Sequence, residues 1–117
     1  MAAVVYFVQD LLFTSKIREA ASALGVEVAA ARDPEALREA ARAARLVVVD
    51  LRLPAALRAL DALAADGAGA RLRVVGFVDH ERTDVMDAAR ARGCEALAKG
   101  QFASMLPALV RAAGEGS

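Results

Sequence analysis

The run Ala3 to Val8, AVVYFV, is aliphatic or aromatic at every position. Leu46 to Val49, LVVV, repeats the pattern and ends at Asp50. A strand with one wet face alternates apolar and polar residues. A run without alternation has both faces covered, as in a parallel sheet clothed by helices. Helical patterns separate the apolar runs, so the chain alternates β and α. Leu11 to Leu24 carries Leu12, Ile17, Ala20, Ala21 and Leu24 at helical spacing and closes at Gly25. Asp33-Pro34-Glu35 is a helix start, with an N-cap, a proline at N1 and an acid in the first turn, for a helix to about Ala44. Pro54 opens a helix reaching Asp66, followed by the loop Gly67-Ala68-Gly69. Asp84 to Arg92 is a helix closed by Gly93. Ser104 is expected to cap the last helix, with Pro107 in its first turn. Three further strands complete the pattern: Val26 to Ala31, weaker and with Glu27 inside, Leu72 to Val78 ending in Asp79 and His80, and the short Glu95 to Ala98 ending at Lys99.

Five βα units in 117 residues predict one α/β domain over 1–113, a single parallel sheet with helices on both faces, and a frayed tail at 114–117. Crossovers should be right-handed. The two strands that hold an acid, at Glu27 and Glu95, suit the edges. The expected order is therefore 2-1-3-4-5, with strands one and three flanking the point where the winding reverses.

Composition excludes several classes of function. Hydrophobic residues make up 57% and charged residues 26%, which argues against disorder. Fifteen basic residues balance fifteen acidic ones, so neither nucleic acid nor an anionic membrane finds a basic surface. One cysteine and one histidine rule out an internal disulfide, a cysteine-rich zinc site and a histidine-based metal cluster. No apolar run approaches the ~18 residues of a membrane span. The start MAAVVYFVQD has no basic segment before its apolar run, so the expectation is a cytoplasmic domain. Thirteen arginines against two lysines read as compositional bias.

In a sheet of this kind, chemistry gathers at the carboxyl ends of the strands. There the sequence places Gln9 and Asp10 after strand one and Asp50 after strand three. Val78, Asp79 and His80 follow on strand four, and Lys99 on strand five. Carboxylates on neighbouring strands suit a hard divalent cation. A carboxylate can also accept a phosphoryl group, and a nearby lysine would offset its charge.

The motif VVVDLRLP, Val47 to Pro54, together with the order of elements, resembles the receiver domain of bacterial response regulators, which has a flavodoxin-like (βα)5 fold. The resemblance covers essentially the whole chain. It implies that Asp50 accepts a phosphoryl group from a histidine kinase, with Pro54 at the family's spacing beyond it. Gly93 matches the turn before strand five, and Phe102 matches the phenylalanine after the family's lysine. Three positions depart from the pattern. Gln9 stands where one of two magnesium-binding acids belongs, leaving Asp10, Asp50 and Gln9 as a weak site for Mg2+. Val78 aligns with the Ser or Thr that follows the phosphoryl group. Lys99, the candidate phosphate partner, comes one residue early, and in a strand a one-residue shift reverses the face. Leu97 replaces the aromatic switch residue.

The function implied is a stand-alone, degenerate receiver-like signalling module of phosphorelay type and not an enzyme. Its partners would be a sensor histidine kinase, another signalling protein or a second copy of itself. The alternative is a small-ligand protein or enzyme on the same flavodoxin-like fold, which would need a glycine-rich phosphate loop or a paired nucleophile and base. Other residues read as structural. His80 suits a loop or cap, Thr14, Ser15 and Lys16 a solvated first turn, and Cys94 a buried thiol. Tyr6 and Phe7 belong to the core, and Arg38 to Arg45 to a solvated helix face.

Overall fold

The computed structural model describes residues 1–67 and 72–115. Its elements follow in strict alternation: β1 Val4–Phe7, α1 Leu11–Leu24, β2 Val28–Ala30, α2 Pro34–Ala41, β3 Leu46–Asp50, α3 Ala56–Ala65, β4 Arg73–Val78, α4 Thr83–Arg90, β5 Glu95–Ala98 and α5 Lys99–Glu115. The five strands are parallel and ordered β2-β1-β3-β4-β5, which is the flavodoxin-like (βα)5 arrangement expected.

Burial explains the order. Every residue of β1 and β3 is buried, as runs without polar alternation require. Strand β2, partly exposed, and β5, whose Glu95 is exposed, form the two edges. Glu95 pairs with Arg73 on β4 through two hydrogen bonds of 2.6 and 2.9 Å, so the edge acid is satisfied across the ladder. Glu27 falls just outside β2, and its carbonyl accepts from the N–H groups of Ala3 and Val4.

Alternate side chains divide the core. Val4, Tyr6, Leu46, Val48, Val75 and Phe77 pack with Phe13, Ile17, Phe102, Leu106 and Val110 of α1 and α5. Val5, Phe7, Val47, Val49 and Val78 pack with Leu37, Leu60, Leu63, Met86 and Ala89 of α2, α3 and α4. Each fully buried valine or leucine contributes about 1.5–3 kcal/mol of transfer free energy.

Helix ends follow local chemistry. The Asp33 side chain accepts from Ala36 N–H at 2.7 Å, and Pro34 is the first residue of α2. Gly25, with φ of 66°, and Gly93, with φ of 81°, take the left-handed conformation that closes α1 and follows α4.

Four expectations are corrected. Helix α5 starts at Lys99, directly off β5, so Ser104 is interior and Pro107 lies well inside the helix. The buried series Phe102, Leu106, Leu109, Val110 and Ala113 holds this helix to the sheet despite the proline. Helix α3 begins at Ala56, because Leu51 to Ala55 form a turn and Pro54 lies within it. Gly114 and Glu115 extend α5, while Gly116 and Ser117, like Ala68 and Gly69 of the expected loop, lie outside the described residues.

Gly76 is the tightest point of the sheet. A Cβ there would stand 2.8–2.9 Å from three carbons of the Leu51 side chain. Leu51 is itself buried, so it has little room to yield. Gly76→Ala is expected to destabilise by about 1–3 kcal/mol, the usual range for overpacking. In a Leu51→Ala background the same substitution should cost clearly less, because contacting sites couple. Urea unfolding of the four proteins checks this, and equal costs in both backgrounds would remove the Leu51 contact as the cause.

Candidate functional site

The site is built by the turn that leaves β3. Asp50 is the last residue of β3, registered opposite Phe77 of β4, and is 2% exposed. Leu51 N–H donates to the Phe77 carbonyl at 2.9 Å and carries the ladder one residue further. The Leu51 side chain joins the cluster under α2, α3 and α4. Arg52 then folds back to the other side, with its guanidinium carbon 5.6 Å from the ring centre of Phe13 and 5.5 Å from that of Phe77. Phe13, Phe77 and Phe102 stack beneath, with centroids 4.4 Å apart for the first pair and 4.7 Å for the second.

Two carboxylates converge on this guanidinium. Asp50 Oδ1 accepts from Arg52 Nε at 2.8 Å and from Arg52 backbone N–H at 3.0 Å, and Oδ2 accepts from Nη2 at 2.8 Å. The backbone bond to the residue two places on is an Asx turn. The paired side-chain bonds are the planar fork that arginine makes with carboxylates. Nη2 also donates to Asp10 Oδ2 at 3.0 Å. Asp10 Oδ1 caps α1, accepting from Leu12 N–H at 2.8 Å and Phe13 N–H at 3.2 Å. Arg52 thus bridges β3 to the start of α1, and every oxygen of both carboxylates has an N–H donor.

A second ion pair stands on the same edge. Lys99 Nζ lies 2.6 Å from Asp79 Oδ1. These contacts set the proton affinities. The Phe13 N–H first, and then Arg52, hold the Asp10 carboxyl below the ordinary carboxylate value. Lys99 does the same to Asp79. Asp50 above all, and then Asp10, make the Arg52 guanidinium harder to deprotonate than usual, against the opposing effect of burial.

Of the residues singled out from sequence, Asp10 and Asp50 come together, as the strand order requires. Lys99 reaches the same edge, but its partner is Asp79, and Asp50 takes Arg52 instead. Gln9 is exposed. Val78 does not share the face of Asp50: it packs with Leu51 and Met86, whereas Phe77, opposite Asp50, belongs to the α1 and α5 side. The strand-four position facing the site is therefore one residue earlier than expected, and it offers a phenyl ring where a hydroxyl was sought. Leu97 packs against the α1 and α5 cluster. His80 is exposed, 3.5 Å from Glu81. Burial pushes the Cys94 thiol up to about 12, so it is an inert core group.

Arg52 is the residue that sequence reasoning passed over. Its signal was present: an arginine two places after an acid that ends a buried strand can close an Asx turn and a fork on that acid. Arg52 also decides whether the residues fit magnesium. Its guanidinium occupies the space between the two carboxylates and takes one oxygen of Asp10 and both of Asp50. A divalent cation there would lose those ligands and meet a fixed positive charge, so the set does not fit the ion while Arg52 is in place. Among the described residues, no group of three or more His, Cys, Asp or Glu side chains is placed to hold a metal. No helix of the described residues is long and apolar enough to cross a membrane.

The lowered carboxyls fix a pH dependence. A carboxyl that is more acidic in the folded chain stabilises it above the unfolded value, near 3.8 for aspartate, and that stability disappears as pH falls through the folded value. Stability should therefore be level from pH 7 to 5 and drop below pH 4. Asp79→Asn, which removes the Lys99 partner, should make the acid-side slope shallower. Thermal melts at closely spaced pH values read this, and an unchanged slope would mean that the Asp79–Lys99 pair does not form in solution. No protein-family model matches this chain, and no curated protein matches it.

Proposed function

We infer that this chain is a receiver-like signalling module of phosphorelay type, acting through protein–protein contacts, in which phosphorylation of Asp50 is impaired. The observation that supports this reading is the placement of Asp50. It ends the central strand of a 2-1-3-4-5 sheet, with Asp10, which follows neighbouring β1, bridged to it by Arg52 and a lysine following β5 on the same edge. In doubly wound sheets that edge, outside strands one and three, is where ligand chemistry concentrates. A carboxylate so placed is a suitable acceptor, since its oxygen can attack phosphorus and form an acyl phosphate.

The impairment follows from the same geometry. Asp50 is buried, and its oxygens are held by three N–H groups of one residue. A donor reaches it only after Arg52 withdraws. No hydroxyl from β4 faces the acceptor, and Lys99, the cation directly after β5, is engaged by Asp79. A phosphoryl group on Asp50 would thus find neither partner through which its arrival could be passed to α4 and β5. The proposed partners are a sensor kinase or another signalling protein, and a second copy of the chain, in a cytoplasmic setting.

Two measurements test the reading. With magnesium and acetyl phosphate, intact mass should show at most a minor fraction carrying one phosphoryl group, and Asp50→Asn should abolish it. With beryllofluoride, an acyl-phosphate mimic, amide shifts should be absent or confined to the neighbourhood of Asp50. Stoichiometric modification, or shifts spread across α4 and β5, would restore an ordinary phosphorylation switch. Modification that persists in Asp50→Asn would remove Asp50 from the role.

A further inference from the structure

We propose that Arg52 is a built-in counter-ion that stands in place of a divalent cation between Asp10 and Asp50, so that this edge of the sheet is held in its working shape without metal. Three independent features of the geometry carry the inference. The first is saturation. The fork on Asp50, the Asx-turn N–H and the single bond to Asp10 leave no carboxylate oxygen without a donor. The second is the floor. The guanidinium lies within 5.6 Å of the ring centres of Phe13 and Phe77. A delocalised, weakly hydrated cation gains from aromatic faces. Magnesium keeps several of its waters, and those need polar neighbours that phenyl rings do not provide. The third is the tether. Arg52 is two residues from Asp50 and is aimed by the buried Leu51, so its pairing is intramolecular and does not depend on any free ion concentration.

The inference deepens the receiver reading at one point only. If Asp50 is an acceptor, then withdrawal of Arg52 is what exposes it. Whether Arg52 excludes metal can be read without any phosphoryl chemistry, so the two ideas fail separately.

The test is a manganese titration of the wild-type chain, Arg52→Met and Arg52→Met/Asp50→Asn, followed by paramagnetic broadening of amide signals around residues 10 and 50. Methionine keeps an unbranched apolar stem over the rings and removes the charge. Arg52→Met should bind Mn2+ at least about tenfold more tightly than wild type, since a like charge at contact distance is gone, and Asp50→Asn should cancel the gain. Equal affinities, or a gain that survives Asp50→Asn, would overturn the proposal. A second measurement needs no variant. The Arg52 Nε–H resonance of the wild-type protein should be protected from exchange and unmoved by millimolar magnesium. A shift or loss of that signal on adding magnesium would show that the ion displaces the guanidinium, and would overturn the proposal equally. Acetyl phosphate added to Arg52→Met with magnesium then reports on the receiver reading alone. Modification at Asp50 supports it, and its absence in a protein that binds Mn2+ counts against the acceptor role and leaves the counter-ion intact.

Discussion

A carboxylate that is 2% exposed at the end of a central strand needs a partner, and in this chain the partner is Arg52. Burying an unpaired charge costs several kcal/mol, so much of the edge is arranged around supplying that one guanidinium. Gly76 leaves space for Leu51, Leu51 anchors the turn after β3, and the turn returns Arg52 to the side from which Asp50 projects. Phe13 and Phe77 provide the surface on which the guanidinium rests. Asp10 accepts a second Nη2 bond with one oxygen and caps α1 with the other. Sheet, turn and first helix are thereby joined at a single ionic node.

The same node explains why the edge combines receiver-like placement with unlike chemistry. Strand order alone brings Asp10 and Asp50 together, because β1 and β3 are neighbours across the reversal of the winding. What two such carboxylates do depends on the cation between them. A hydrated metal is exchangeable and leaves coordination positions for a phosphoryl oxygen. An arginine from the same turn is permanent and planar, and its Nε and Nη2 donors already hold the carboxylate oxygens that a metal would need. The Asp79–Lys99 pair extends the pattern, since a second acid and base on this edge satisfy each other and not an incoming group.

The fold was largely legible in the sequence for a physical reason. Unbroken apolar runs at β1 and β3 permit only a doubly covered sheet, and acids at Glu27 and Glu95 push their segments to its edges. Less legible were features set by side-chain direction at strand ends. Val78 was assigned to the site by alignment, but register places Phe77 opposite Asp50, and one residue along a strand is the opposite face. Lys99 follows β5, and Asp79, which follows the neighbouring β4, stands nearer to it in the strand order than Asp50 on β3. Ser104 looked like a cap, yet the buried periodicity from Phe102 onward outweighs local capping preference. Arg52 was hidden within a motif whose neighbours drew the attention, in a chain where arginine is common enough to look like background.

The most direct test of the account is a double-mutant cycle in stability between Asp50→Asn and Arg52→Met, measured by denaturant unfolding. Removing Arg52 alone leaves a buried carboxylate without its partner and is expected to cost about 3 kcal/mol, the lower end for a broken buried pair because the Arg52 side chain is 28% exposed. Removing both partners is expected to leave the protein more stable than Arg52→Met alone, with a coupling of about 1–3 kcal/mol. Additive costs, with the double variant the least stable of the four proteins, would contradict the claim that Arg52 is the counter-ion on which this edge depends.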